Sequence, residues 1–230
     1  MVGKNIIAHR GIFDNKKIPE NSLSAIKKAL NLGYSIEIDV QLTKDNKIVV
    51  FHDYTLERMT KEKGFVQEIE YSKLKSITLL DTKEIIPTLN DVLKLVDNKV
   101  LLDIEIKNTK RIKDTCNTLM RDLENYNNYI LKSFNPKIVH FLKRFYPNVK
   151  VGLLLKKNYS NKIISSLMRS NFILKYCKPD FLAISKSLAK TKKYQKLSKK
   201  YPTMIWTIES DDDTSCDDFI YICNIRPKKN

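Results

Sequence analysis

The sequence predicts an α/β fold, a (β/α)8 TIM barrel formed by one domain over residues 1–230, with a hairpin extending its second strand. Three observations lead there. β-like runs and amphipathic helical runs alternate along most of the chain without an internal repeat, the pattern of a parallel sheet covered by helices. Nine runs are β-like, but Ile48-Val49-Val50-Phe51 follows its predecessor after a turn far too short for a parallel crossover of a dozen or more residues. As the return arm of a hairpin it leaves eight, which is the number that closes a barrel. A length of 230 residues suits such a barrel, for which roughly 200–250 is common, and buries a full core without disulfides.

The elements follow in order. Asn5–Gly11 is a short strand ending in polar residues. Pro19-Glu20-Asn21-Ser22 opens a helix with Leu23, Ile26 and Leu30 at helical spacing, and Gly33 stands where the chain leaves it. Ile36–Val40 and Ile48–Phe51 form the hairpin about Lys44-Asp45-Asn46-Lys47. Residues 54–86 have weak periodicity and read as an irregular excursion with short helical pieces. Thr88, with Asp91 three residues on, caps a helix carrying Leu89, Val92, Leu93 and Val96. Val100–Lys107 is a strand alternating apolar and charged residues, followed by a helix through Ile112, Cys116, Leu119 and Leu123 and the strand Tyr129–Phe134. Asn135-Pro136 starts a helix in the favoured cap-then-proline order. Then come the strand Val149–Leu155, a helix near 161–176, the strand Asp180–Ser185, a Lys-rich helix near 188–200, and the strands Thr203–Ile208 and Phe219–Cys223.

Composition narrows the class. A hydrophobic share of 42% and a charged share of 30% are those of a soluble globular chain. Cys116, Cys177, Cys216 and Cys223 have no C-x-x-C spacing and read as reduced thiols. The first residues lack the apolar core of a secretory signal, and no run reaches the roughly 20 apolar residues of a membrane span, so cytoplasmic residence is the expectation. The net charge of +16 is unevenly placed: many lysines and one acidic residue, Asp180, lie between Lys156 and Lys200. That face suits an anionic membrane surface, a polyanionic polymer or an anionic substrate, although a solvated face in a lysine-rich chain has the same composition. Its lysines lack the interleaved aromatic and arginine contacts of nucleic-acid readers, so no nucleic acid is expected.

The chemistry gathers around residues 34–53. Side chains two apart on a strand share a face, so Glu37 and Asp39 point together. The hairpin sets residue 39 opposite residue 52, about 4.5–5.5 Å away at Cβ. Functional groups of such barrels lie at the C-terminal strand ends, which here carry His9 and Arg10, Glu37 and Asp39, Glu105 and Lys107, Ser133, and Trp206. Three carboxylates at one mouth repel by up to about 4 kcal/mol per pair at roughly 4 Å and an effective dielectric of about 20. A hard divalent cation, Ca²⁺ or Mg²⁺, resolves this; zinc is disfavoured because no Cys or closely spaced His pair is at hand. With the cation, Arg10 and Lys107 the site balances at about +1, which suits a phosphodiester monoanion whose charge grows in the transition state. His9 and His52 can supply the general base and general acid. His140, inside an amphipathic helix, reads as structural, and Asp211-Asp212-Asp213 with Asp217-Asp218 as helix N-terminal charge.

Taken together, these residues resemble the glycerophosphodiester phosphodiesterase family, and through it the barrel of phosphatidylinositol-specific phospholipase C. The resemblance runs through His9-Arg10-Gly11, Pro19-Glu20-Asn21-Ser22, Glu37-Ile38-Asp39, Thr43-Lys44-Asp45-Asn46 and His52-Asp53. It resumes at Glu105-Ile106-Lys107, Ser133-Phe134, Trp206-Thr207 and Asn224-Ile225-Arg226-Pro227. It implies metal-dependent hydrolysis of glycerophosphodiesters to glycerol 3-phosphate and an alcohol. Glu37, Asp39 and Glu105 would be the metal ligands and His9 and His52, with Arg10, the catalytic groups. Arg10, Lys107 and Ser133 would contact substrate, and Trp206 would line the glycerol pocket. Departures are Ser22 for the usual Thr, Asn46 for the hairpin Gly, Glu209 for the Asn near Trp-Thr, and Cys223-Asn224-Ile225 for Ile-Thr-Asp. Related expectations are a phospholipase-type or glycerophosphate-polymer phosphodiesterase. From a different class comes a barrel that binds polyanions without catalysis.

Overall fold

The computed structural model describes residues 6–209 and 220–225. Its strands are β1 (Ile6–His9), β2 (Ser35–Leu42), β3 (Ile48–Val50), β4 (Leu102–Ile106), β5 (Tyr129–Ser133), β6 (Val151–Leu155), β7 (Phe181–Ser185), β8 (Thr203–Ile208) and β9 (Ile220–Cys223). All but β3 run parallel. β1 pairs with both β2 and β9, and the others link β2 to β9 through β4–β8, so eight strands close into a barrel. β3 lies antiparallel on β2, as the strand count required. Asp211-Asp212-Asp213, Cys216, Asp217-Asp218, Phe219 and Arg226-Pro227 lie outside the described residues.

Two cores follow from the period of two. Outward-facing residues such as Ile36, Ile38, Val40, Ile104 and Leu131 are buried under the helices. Inward-facing residues split by chemistry. Ile7, Ile130, Leu154, Phe181, Ala183, Met204 and Ile222 fill one side of the barrel lumen. Gly152 belongs to that side because a Cβ there would stand 2.2 Å from the Phe181 ring. The β2 and β4 side is ionic, with Glu37, Asp39, Asp103 and Glu105 facing in.

The helices form where their caps predict. Ser22 accepts from Ala25 N at the start of α1 (Leu23–Asn31), and Gly33, at φ +73°, releases the chain from it. Residues 54–86 hold a 3₁₀ turn (Val66–Glu68) and α2 (Tyr71–Leu74), packed by Leu56, Met59 and Val66 onto Val49 and Phe51. Thr88 and Asp91 make a reciprocal capping box on α3 (Leu89–Val96). α4 (Ile112–Asp122) and α5 (Pro136–Phe145) follow, the latter capped by Asn135. Among the described residues no helix is long and apolar enough to cross a membrane.

Three expectations need correction. The helix near 161–176 is two, α6 (Lys162–Met168) and α7 (Asn171–Cys177), because the Ser170 hydroxyl caps a new start by accepting from Ile173 N. The helix near 188–200 is likewise α8 (Lys186–Ala189) and α9 (Lys192–Ser198); Thr191 turns its hydroxyl back to Leu188 O between them. The hairpin register is one residue off. Thr43 N donates to Lys47 O, so Lys47 is paired and the turn is Lys44-Asp45-Asn46, with Asn46 at φ +63°. Val40 therefore faces Val50, and Asp39 O accepts from Phe51 N. His52 stands just beyond the ladder rather than opposite Asp39.

Candidate active site

Parallel register brings the acids together. Glu37 lies beside Asp103 and Asp39 beside Glu105 on neighbouring strands, and all four are buried. Four carboxylates at this spacing cannot stand alone, and two lysines stand among them. Lys107 Nζ is 2.8 Å from Glu105 Oε1 and 3.3 Å from Asp39 Oδ1. Lys132, 1% exposed, bonds Asp103 Oδ2 and lies 3.4 Å from Glu37 Oε1. Burial works against both ammonium charges, but the surrounding acids outweigh it and hold both lysines above their ordinary range. Burial, against the pull of Lys132, pushes Asp103 up to about 6, and it pushes Glu105 up despite Lys107. Asp39 goes the other way: Lys107 and Arg10 overcome burial and hold it well below the usual carboxylate range.

Glu37, Asp39 and Glu105 each offer an oxygen within 4.8 Å of the others. Oxygens at 2.3–2.6 Å from one Ca²⁺ can lie up to about 5 Å apart, so the set can share one ion. A purely oxygen, anionic donor set suits a hard divalent cation and offers nothing to a soft one.

Each histidine is fixed through Nδ1. His9 Nδ1 lies 2.7 Å from Asn224 Oδ1, while Asn224 Nδ2 donates to Glu209 Oε1 at 2.7 Å. The carboxylate can only accept, so it orients the amide, and the amide oxygen in turn requires a proton on His9 Nδ1. Burial, partly offset by Glu37, lowers the pKa of His9, which favours the neutral ring with Nε2 as the acceptor. His52 Nδ1 donates to Asp53 Oδ1 at 2.5 Å. Asp53 is held by Arg58, which also bonds Glu20, and Glu20 bonds Arg10 at 2.8 Å. Arg10 Nε lies 3.3 Å from Asp39 Oδ2. One ionic chain therefore joins His52 to the carboxylate cluster. Arg58 with Arg10 overrides the burial of Glu20 and brings its carboxyl down to about 2. Asn21, at φ +57°, donates to Asp39 Oδ2 at 3.0 Å. Gly11 closes the turn before it, where a Cβ would lie 2.6 Å from the Ala25 carbonyl carbon.

These groups meet at a cavity of about 80 Å³, lined by His9, Arg10, Glu37, His52, Glu105 and Trp206 among others. That is space for two or three waters at ~30 Å³ each. Trp206 packs edge-on to Phe134 at 5.4 Å, and its Nε1 is buried without a hydrogen-bond partner. A larger hollow of about 880 Å³ opens at the opposite strand ends, around Asn117, Tyr126 and Asn148, away from these groups.

Residues 9–215 match the model of the Glycerophosphoryl diester phosphodiesterase family. The chain belongs to that family. A glycerophosphodiester phosphodiesterase of Caldanaerobacter subterraneus subsp. tengcongensis is 38% identical over 161 residues, 65% of each chain. One of Bacillus altitudinis is 32% identical over 162 residues, again 65% of each. The matched stretch thus covers slightly less than two thirds of these relatives. An Oleispira antarctica phosphodiesterase, solved with the product sn-glycerol-3-phosphate, superposes with a TM-score of 0.77 at 23% identity, covering 90% of this chain and 85% of that one. A glycerophosphodiester phosphodiesterase of Thermotoga maritima gives 0.75 at 23% identity, covering 96% and 94%. At these identities the structures speak for the fold.

In this family member the expected residues His9, Arg10, Glu37, His52, Glu105 and Trp206 share one cavity, and Asp39 and Lys107 bond directly to its walls. Ser133 is not brought there. It is fully buried, and its hydroxyl donates to Ile106 O at 2.7 Å and accepts from Asn135 N. His140 is structural, stacked on Tyr176 at 4.4 Å. The sequence pattern does not single out Lys132, Asp103 or Arg58, and it marks Glu20 and Asn21 only as part of the Pro19-Glu20-Asn21-Ser22 motif, without the bonds they make in the site. It marks Glu209 and Asn224 as departures from the family pattern but does not show that they bond to each other.

Proposed function

We propose that the chain is a metal-dependent phosphodiesterase that hydrolyses glycerophosphodiesters to glycerol 3-phosphate and an alcohol. The observation that carries this is a single cavity walled by two differently fixed histidines with Glu37 and Glu105, whose carboxylates reach a common point with that of Asp39 behind the wall. Glu37, Asp39 and Glu105 would hold Ca²⁺ or Mg²⁺, which when bound polarises a phosphoryl oxygen. Arg10 and Lys107 bind the phosphate and balance the charge that builds on it. His9, neutral and with Nε2 bare, takes the proton of the glycerol 2-hydroxyl as that oxygen attacks phosphorus. His52, backed by an ionised carboxylate that compensates an imidazolium, protonates the departing alcohol. Water then opens the cyclic phosphate with the two roles reversed. Trp206 Nε1 offers a donor to a glycerol oxygen. The buried thiols Cys116 and Cys177 suit a reducing compartment such as the cytoplasm.

A diester whose glycerol 2-hydroxyl is methylated tests the route. No glycerol phosphate product should form from it, whereas turnover comparable to the parent would mean that His9 activates water directly.

The Glu209–Asn224 pair gives a second test. In Glu209→Gln the Asn224 amide is no longer held and can present its NH₂ to His9, moving the ring proton to Nε2. The kcat should fall roughly 10²-fold, with His9 changing tautomer in ¹⁵N NMR spectra. An unchanged tautomer would remove the pair from catalysis.

A further inference from the structure

Helix α6 is turned inside out. Its buried residue is Ser165, whose hydroxyl donates to Asn161 O at 2.7 Å and accepts from Tyr159 N at 2.9 Å. Ile163 and Leu167, one turn apart on a shared face, are 80% and 50% exposed. Phe172, in the first turn of α7, is 68% exposed. A helix that only covered a barrel would point such residues inward. That place is held by α7, which packs on α5 and buries Ile173, Leu174 and Cys177, while α6 packs on α7.

The patch borders the mouth. Leu154 of β6 lines the cavity, and only residues 156–161 separate β6 from α6. Lys156 Nζ lies 5.7 Å from the ring of Phe134, another cavity residue.

Positive charge surrounds it. Between 156 and 200 stand twelve lysines and one arginine against a single acid, Asp180, which is tied to Lys143 at 2.8 Å. Lys157 and Lys162 flank the apolar residues and are exposed. Lys175, Lys178 and Lys200 line a groove of about 710 Å³ between α7 and the end of α9. Lys193 bonds the carbonyl of Arg169, which holds α9 and its lysines against the α6–α7 junction.

We propose that α6, the first turn of α7 and the lysines around them dock on a bilayer surface rich in anionic lipid headgroups, with the mouth facing that surface. Interfacial helices combine an apolar face with flanking Lys in this way. A soluble polyanion would use the lysines but gain nothing from Ile163, Leu167 and Phe172. A second copy of the chain would set lysine against lysine. The docking stands on surface chemistry and does not depend on which reaction the mouth performs.

Co-sedimentation with vesicles of phosphatidylcholine alone, and of phosphatidylcholine with phosphatidylglycerol, tests it. Binding to the anionic vesicles is expected to be at least tenfold tighter than to the neutral ones. It should fall at least tenfold in the triple variant Ile163→Ser, Leu167→Ser, Phe172→Ser, and again in Lys157→Gln with Lys162→Gln. Should the triple variant unfold, Ile163→Glu alone decides between these outcomes, since that side chain stands in solvent. Undiminished binding by the apolar variants would show charge adsorption only and overturn the proposal. So would equal binding to neutral vesicles, or a lipid-free dimer dissociated by Phe172→Ser.

Discussion

Replacing His9 or His52 by alanine is expected to lower kcat for glycerophosphocholine by about 10³-fold, within the 10²–10⁴ span of positioned acid–base groups, while circular dichroism and melting temperature stay near wild type. Each ring sits at the cavity edge and is fixed from outside it, His9 by Asn224 and His52 by Asp53. Neither carries the core, so losing the imidazole removes chemistry before stability. The two losses should also differ in kind. A diester with an acidic, easily expelled alcohol needs little proton donation, so the deficit of His52→Ala should shrink on that substrate. The deficit of His9→Ala should persist, because the attacking hydroxyl still needs its base. Activity within tenfold of wild type in both variants would sink the acid–base assignment.

Lys132→Met should be the most damaging change to stability in the barrel. The ammonium is buried between Asp103 and Glu37. Its removal leaves buried acids uncompensated, at a cost of roughly 3–5 kcal/mol. The sign of the pH dependence follows from Asp103. Its folded pKa, about 6, is already above the ordinary 3.8, so it binds its proton more readily folded than unfolded. Folding is therefore favoured by acid across that window, and losing Lys132 extends the window upward. The gap in urea stability between wild type and Lys132→Met is expected to widen from pH 6 to pH 8. Adding Asp103→Leu should recover part of it, because no lone charge then remains at that position. A gap that stays flat with pH and ignores Asp103→Leu would mean that Lys132 acts by packing alone.

Much of this was legible in the sequence because it depends on local periods. Alternation placed Glu37 with Asp39 and gave Glu105 the same facing, and the short turn after Leu42 forced the hairpin that left eight strands. The residues that went unseen depend on contacts the sequence does not display. Lys132 is a single lysine within Tyr129–Ser133, and its meaning appears only when β5 is set beside Asp103 of β4. Arg58 lies in a segment without periodicity, and its pairing with Glu20 of the Pro19-Glu20-Asn21-Ser22 motif rests on how residues 54–86 fold back over the hairpin. Glu209 and Asn224 come together only because β8 and β9 are neighbours in the closed barrel. The hairpin register failed over one hydrogen bond, Thr43 N to Lys47 O, which decides whether Lys47 belongs to the turn or the ladder. Ser133 misled for the opposite reason. It stands at a strand end, yet its hydroxyl satisfies the backbone of β4 instead of facing the mouth.

Glu37, Asp39 and Glu105 are expected to hold a cation that the histidine pair needs for hydrolysis. Glycerol 3-phosphate release from glycerophosphocholine, followed with Ca²⁺, with Mg²⁺ and with chelator, tests it most directly. Release is expected with at least one of the ions, to vanish under chelator and to return when that ion is restored. No release under any metal condition would mean that no such cation serves hydrolysis, and would leave a barrel that binds anions without cleaving them.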